Sequence, residues 1–170
     1  MRRRVALAAL PAWLVGCASL APPPAELSGR LALRVEASPG QPSRSFSADF
    51  DLRGDAERGT LRLTGALGAT LAEVRWQPDS AELTDAQGTR AFDTLEAMSQ
   101  ALFGEALPLG ALTDWLRGRP WAGAASAPAG RGFEQLGWRV DLASFAEGIV
   151  SATRERTPAV SLRARVERPA

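Results

Sequence analysis

The fold of this chain is decided by the stretch Arg30-Leu31-Ala32-Leu33-Arg34-Val35-Glu36, in which apolar and charged side chains alternate. Leu31, Leu33 and Val35 occupy alternate positions, and charged residues lie on both sides of the set. Because successive side chains of an extended chain point to opposite faces, this pattern predicts a β-strand with one face buried and the other in solvent.

The same alternation recurs in the sixty residues that follow. A Pro- and Gly-containing loop is predicted over residues 37–44, and after it the apolar positions again repeat every second residue. Short strands joined by short turns are typical of an antiparallel meander, and one sheet with one apolar face must be covered or must curl around itself. The predicted strands lie at residues 46–53, 60–64, 72–76, 82–85 and 89–92.

The pattern changes to helical spacing after the sixth strand. Asp93 and Glu96 fit a capping box, so we expect a helix that begins at Asp93 and ends at Gly104. Its apolar face contains Leu95, Met98 and Leu102. A second helix is predicted to begin at Pro108, to include Leu112, Trp115 and Leu116, and to end at Gly118. Two short amphipathic helices would cover the apolar face of the meander.

The last third of the chain returns to strand alternation. Residues 122–132 are mostly small residues and proline, so a flexible loop is predicted there. Strands are predicted at residues 133–136, 138–142 and 161–167, and none is predicted between the last two. The predicted fold class is α+β and mainly β, with a curled antiparallel sheet covered by short helices.

The N-terminus has the features of an export signal. Three arginines at residues 2–4 precede an apolar run over residues 5–15, which is too short to be a spanning helix of about 20 residues. The following Leu14-Val15-Gly16-Cys17 resembles the lipobox of bacterial lipoproteins. That resemblance implies cleavage before Cys17, a diacylglyceryl group on its sulfur and an acyl chain on the new N-terminus. The alternative is an ordinary signal peptide followed by a chance cysteine, although a lone thiol is a liability outside the cell's reducing compartment.

The segment after the lipidation site predicts a tether and a location. Residues 17–26 contain three consecutive prolines, so they are expected to form an extended link to a single domain over residues 27–168. In well-studied sorting systems an aspartate just after the cysteine keeps a lipoprotein in the inner membrane. Ala18 and Ser19 stand there instead. By that resemblance we expect the protein on the periplasmic face of the outer membrane.

The composition excludes several classes of function. Removal of the signal arginines leaves 17 basic and 19 acidic residues, a net charge of −2, which argues against binding to nucleic acid. The chain contains no His, Lys, Tyr or Asn. Serine–histidine relays, imidazole metal sites and P-loops are therefore excluded. No catalytic residue, metal or cofactor is expected apart from the covalent lipid on Cys17. A hydrolase that uses a pair of carboxylates remains formally open.

The ordered set of motifs resembles the LolB family of outer-membrane lipoprotein receptors. The resemblance covers roughly residues 14–167, and it rests on four features in sequence order. These are the lipobox, the opening strand Leu27-Ser28-Gly29-Arg30-Leu31, the segment Leu61-Arg62-Leu63-Thr64-Gly65-Ala66-Leu67-Gly68, and the segment Trp115-Leu116-Arg117-Gly118-Arg119-Pro120 with the later Phe133-Glu134-Gln135-Leu136-Gly137-Trp138-Arg139-Val140.

This resemblance implies a fold and a mechanism. Members of the family form an incomplete antiparallel barrel that is capped by helices and encloses an apolar cavity. The cavity takes the acyl chains of client lipoproteins from a LolA-like periplasmic carrier and releases them into the inner leaflet of the outer membrane, without nucleotide or metal. A loop leucine that projects into solvent inserts into the membrane, and Leu67 matches it. The protein is expected to be a monomer.

Alternatives remain at the level of residues and of function. The candidate cavity residues could equally form an ordinary filled core, and Leu67 could be a hairpin residue packed inward. A structural or adaptor outer-membrane lipoprotein with a filled core and no lipid transfer is the main alternative to a receptor. The candidate cavity residues are Leu31, Leu33, Phe50, Leu63, Met98, Leu102, Trp115 and Trp138.

Overall fold

The computed structural model describes residues 27–167, and their backbone forms one antiparallel sheet, two short α-helices and a single 3₁₀ turn at Phe145–Glu147. The predicted signal peptide over residues 1–16, Cys17 and the predicted tether lie outside the described residues. The helices are α1 (Leu95–Phe103) and α2 (Leu109–Trp115). The strands are β1 (Leu27–Val35), β2 (Arg44–Gly54), β3 (Gly59–Thr64), β4 (Thr70–Gln77), β5 (Ser80–Asp85), β6 (Gly88–Phe92), β7 (Ser126–Ala129), β8 (Gly132–Gln135), β9 (Trp138–Asp141), β10 (Ile149–Arg154) and β11 (Val160–Glu167).

The sheet consists of two meanders that meet at β1. Strands β1 to β6 follow one another across one side, and β11 back to β7 follow one another across the other side. In the central pairs Leu31 lies opposite Ala48 of β2 and opposite Ala164 of β11. The outermost strands β6 and β7 have no hydrogen-bonded neighbour on their outer sides within residues 27–167. The prediction of a mainly β fold with an open, curled antiparallel sheet and two short helices is therefore confirmed.

The alternation in β1 determines which face of the sheet is buried. Leu31, Leu33 and Val35 are buried, whereas Arg30 and Arg34 are exposed. The other long strands show the same division, and their inner faces join the helices in one hydrophobic core. The sheet, both helices and this core are all formed by residues 27–167, so a version without residues 1–17 retains every described element.

The N-cap of the first helix lies one residue later than the predicted N-cap, Asp93. The observed N-cap is Thr94, whose hydroxyl accepts a hydrogen bond from the Ala97 backbone N–H at 3.1 Å, so the predicted capping box that begins at Asp93 is wrong. An N-cap side chain must lie directly before the first helical residue to reach the free N–H groups of the first turn. Gly104 ends the helix in the left-handed conformation, as predicted, and α2 begins directly after Pro108.

Two parts of the C-terminal third differ from the prediction. Strand β7 lies inside the segment that was predicted to be a flexible loop, and β10 lies where no strand was predicted. Strand β7 consists of small residues with a proline, which is tolerated because β7 is at the edge of the sheet. The inward positions of β10 are Val150, Ala152 and Arg154, and an arginine at a core position conceals the apolar alternation.

Neither described helix is long or apolar enough to cross a bilayer. The longer of the two, α1, has only nine residues, whereas a spanning helix needs about 20.

Candidate functional site

Two features of the molecule correspond to the predicted site. One is the hairpin loop, which we define as residues 65–69 between β3 and β4. The other is the interior beneath the helical cover. We define the helical cover as residues 95–116, which comprise α1, α2 and the segment that joins them. The hairpin loop is exposed, whereas the helical cover contributes buried side chains to the core.

Leu67 is the most exposed large apolar side chain among residues 27–167, at 99% of its full accessibility. It lies in a tight turn in which the Gly68 N–H donates to the Gly65 carbonyl at 2.9 Å. A second backbone bond, from the Gly65 N–H to the Ala69 carbonyl at 2.9 Å, closes the base of the loop. The backbone bonds therefore hold the loop in shape, and the leucine side chain contributes nothing to the core.

Gly68 allows this turn to form. Its φ angle is +79°, a left-handed conformation that other residues adopt only with strain. Space around the Gly68 α-carbon is open, so the requirement for glycine here is conformational rather than steric. Leu71, at the start of β4, is also partly exposed, and its side chain lies against Gly65. The hairpin loop therefore presents an apolar tip with a second apolar side chain behind it.

Beneath the helical cover lies a small apolar cavity of about 30 Å³. Three of the predicted cavity residues, Leu31, Leu33 and Phe50, line it. Its one polar lining side chain within the described chain is Thr113, whose hydroxyl donates to the Gly110 carbonyl at 2.7 Å. The helical cover supplies much of the remaining wall, with Phe103, Leu107, Leu109, Leu112 and Leu116.

The other predicted cavity residues lie elsewhere in the core. Leu63 and Met98 are fully buried, and Leu102 is partly buried against the same core. Trp115 and Trp138 are buried side by side, with ring centroids 6.1 Å apart. None of these five side chains lines the cavity within residues 27–167. The residues therefore share one core, but only three of the eight border its open space.

A buried glutamine, which was not predicted to have a role, fixes α2 to the sheet. The side-chain oxygen of Gln135 accepts hydrogen bonds from the Trp115 indole N–H at 2.8 Å and from the Trp121 backbone N–H at 2.9 Å. Its side-chain nitrogen donates to the carbonyls of Trp121 and Ala124 at 2.7 and 2.8 Å. All four contacts join the strand end to α2 and to the segment after it. The sequence does contain a signal for this role, because Gln135 follows Phe133 by two residues and therefore shares its buried face of β8.

A second polar contact, between a buried arginine and a partly buried glutamate, joins the helical cover to β10. Arg154 Nη2 donates to Glu105 Oε1 at 2.7 Å, and the Arg154 side chain is almost completely buried. Sequence reasoning missed this pair because no strand was predicted around Arg154. An arginine at an inward position of a recognised strand would have been the signal.

Arg117 holds the end of α2 against the turn between β2 and β3. Its guanidinium donates to the Thr113 carbonyl at 2.6 Å and to the Gly54 carbonyl at 2.8 Å. Burial lowers the pKa of Arg117 because it removes water from the charged group, and the nearby carboxylate of Asp114 opposes that shift. The helical cover is thus attached at three points, through Gln135, Arg154 and Arg117.

The chain matches a known family over most of its length. Residues 24–163 match the family model described as outer membrane lipoprotein LolB. The outer-membrane lipoprotein LolB of Bordetella petrii is 36% identical over 156 residues, which cover 81% of this chain and 76% of that protein. The LolB of Chromobacterium violaceum is 32% identical over 154 residues, which cover 82% of each chain. The chain therefore belongs to the LolB family of outer-membrane lipoproteins.

Proposed function

We propose that this protein is an outer-membrane lipoprotein receptor, which accepts lipoproteins from a LolA-like periplasmic carrier and inserts them into the outer membrane. Family membership supports the role, and the fully exposed Leu67 is the single structural observation that carries it. One exposed leucine is ordinary on a protein surface, but Leu67 lies at the tip of a loop that backbone hydrogen bonds hold in shape, with the partly exposed Leu71 behind it. This apolar tip is useful to a protein that must touch a bilayer.

Leu67 suits brief contact with a membrane. Transfer of one leucine side chain from water to an apolar phase is worth about 1.5–3 kcal/mol, which is far too little for permanent anchoring. We propose that permanent attachment comes from the lipid on Cys17 and that Leu67 contacts the bilayer when the lipoprotein is released. Its neighbours Ala66 and Gly68 have small or no side chains, so they would not prevent Leu67 from reaching the bilayer.

The apolar interior is the proposed binding site for the acyl chains of the client. In the closed form its cavity is on the scale of one water molecule, so the cover must move outwards before an alkyl chain can enter. Alkyl chains need apolar area and no directional partners, and the walls of Leu31, Leu33 and Phe50 supply such area. We propose that loading opens the cover and that release closes it, with no nucleotide, metal or catalytic group involved.

Transfer from the carrier is the experiment that tests this proposal. A soluble version that lacks residues 1–17 is mixed with a carrier loaded with a labelled lipoprotein, without an energy source. We expect the lipoprotein to move to this protein, because the receptor must hold the acyl chains more favourably than the carrier does. Size separation of the two proteins, followed by detection of the label, measures the transfer and also reports whether the receptor remains a monomer.

The alternative is an adaptor lipoprotein with a permanently filled core. A well-folded sample that takes no lipoprotein from an active carrier would support the adaptor and would reduce Leu31, Leu33 and Phe50 to ordinary core residues. A hydrophobic dye that fatty acid displaces gives an independent check, because a receptor binds the dye saturably in the folded state and an adaptor does not.

A further inference from the structure

The pair formed by the buried Arg154 and the partly buried Glu105 has an unusual hydrogen-bonding balance. Arg154 is 3% exposed and is the last residue of β10. Its Nη2 donates to Glu105 Oε1 at 2.7 Å and to the Pro158 carbonyl at 3.2 Å. Its Nε and Nη1, which carry most of the N–H donors of a guanidinium, are buried and have no acceptor among residues 27–167.

Such unpartnered donors are unfavourable in a folded protein. A buried charged group normally has its full set of hydrogen bonds, because each N–H removed from water without a new acceptor costs free energy. The Trp138 ring compensates in part, since the guanidinium carbon lies 5.4 Å from its centroid. A ring face nevertheless does not provide acceptors for the donors on Nε and Nη1. An acceptor from outside residues 27–167 would supply the hydrogen bonds that Nε and Nη1 lack.

The guanidinium lies next to the hydrophobic core, although neither Arg154 nor Glu105 lines the present cavity. Arg154 follows Val150 and Ala152 on the inward face of β10, and both of those residues are in the core. Its partner Glu105 lies in the short segment between Phe103 and Leu107, two residues that line the cavity. A ligand whose chains occupied the enlarged cavity would therefore have its polar end within reach of this segment.

Charge decides the kind of acceptor. Glu105 already balances the positive charge of Arg154 at 2.7 Å, so a second carboxylate would be repelled by the first. A neutral carbonyl oxygen accepts hydrogen bonds without that repulsion. We infer that Arg154 binds the ester carbonyl oxygens of an acylated glycerol whose chains occupy the apolar interior, an assignment that rests on the proposed acyl-chain site. Arg154 thus makes the interior selective for ester-linked lipid over plain hydrocarbon chains.

The test compares two lipids that differ only in the carbonyl groups. Dioctanoylglycerol and its dioctyl ether analogue each displace a hydrophobic dye from the soluble protein, the version without residues 1–17. We expect the ester to bind about tenfold more tightly than the ether, because a hydrogen bond from a charged donor is worth about that factor.

Variants connect the preference to the guanidinium. In Arg154→Met the ester and the ether are expected to bind equally, while binding of the ether itself is retained. The matched control is Arg163→Met, an exposed arginine on the outer face of β11, which should keep the preference of about tenfold. Glu105→Gln removes the competing charge and retains an amide partner, so the ester should bind at least as well as before.

Infrared spectra keep the inference testable even if Arg154→Met does not fold. The carbonyl band of an isotope-labelled ester bound to the unchanged protein should lie at lower frequency than in a hydrocarbon solvent. Equal binding of ester and ether, or a carbonyl band at the hydrocarbon position, would overturn the role of Arg154 and leave acyl-chain binding intact. If neither lipid displaces the dye, the proposed acyl-chain site itself is wrong, and the role of Arg154 fails with it.

Discussion

The hairpin loop and the helical cover use apolar residues in opposite ways. Leu67 in the loop is exposed to 99% and is held there only by the backbone hydrogen bonds around it. Trp115 in the cover is exposed to 1% and contacts Phe133, Trp138 and Gln135. The loop thus keeps its apolar side chain available to another phase, whereas the cover keeps its apolar side chains inside the protein.

This difference separates function from stability along the chain. A change in the cover must alter the free energy of unfolding, because it removes packing and hydrogen bonds that the native state contains. A change at Leu67 removes no core contact, and under the proposed function it removes only contacts with a membrane. Three substitutions test how far the separation holds, in order of the expected change in the free energy of unfolding.

The largest effect is expected for Trp115→Ala. The indole ring packs between Phe133 and Trp138, and its N–H donates to Gln135 at 2.8 Å. Loss of a buried aromatic side chain typically costs about 3–5 kcal/mol, and the cavity that remains cannot be filled by its neighbours. Denaturant unfolding, followed by far-ultraviolet circular dichroism, measures this change. A loss below about 1 kcal/mol would mean that the cover contributes little to folding.

A smaller loss is expected for Gln135→Leu. The leucine keeps an apolar side chain in the buried position but leaves the Trp115 indole N–H and the Trp121 N–H without their acceptor. Buried donors without a partner cost about 1–3 kcal/mol, so the free energy of unfolding should fall by that amount. Glu134→Gln, at the exposed neighbouring position, is the control and should change unfolding little. Equal curves for Gln135→Leu and the unchanged protein would contradict a structural role for the amide.

The smallest change in stability, with the largest change in function, is expected for Leu67→Glu. The free energy of unfolding should stay within about 0.5 kcal/mol, because the side chain makes no core contact. Delivery of lipoprotein to vesicles should be lost, because a carboxylate does not enter the apolar region of a bilayer. Leu136→Glu is the matched control: this leucine is also exposed, at 48%, but lies in the turn between β8 and β9. Equal delivery by both variants would show that Leu67 has no special role.

The sheet was predictable because its signal is repeated. In β1, β2, β4 and β11 the inward positions are apolar and most outward positions are polar or charged, so each strand can be recognised by itself. The edge strand β7 consists of residues typical of loops, and its pairing with β8 is a tertiary contact that a local pattern does not contain. Likewise, Thr94 and Asp93 are both good capping residues, and only the backbone path decides between them.

The site was predictable in part. Leu67 could be located because the family resemblance implies a solvent-exposed leucine in this loop, and its exposure agrees with that expectation. The three cavity residues on β1 and β2 could not be distinguished from the rest of the core. Alternation shows which residues face inwards, but not which of them border a cavity. Gln135 and Arg154 escaped notice for a related reason, since the partners that make them useful lie far away in the sequence.

The pairing of β1 with β11 also determines the order in which the molecule can fold. Hairpins such as β3–β4 and β4–β5 need only neighbouring residues, but Leu31 meets Ala164 only after nearly the whole chain is available. Closure of so long a loop has a high entropic cost, and non-local pairing of this kind makes folding slow. Until it happens, each meander has a bare apolar face. Two molecules can then exchange their C-terminal meanders, so we expect a domain-swapped dimer when the protein is refolded at high concentration.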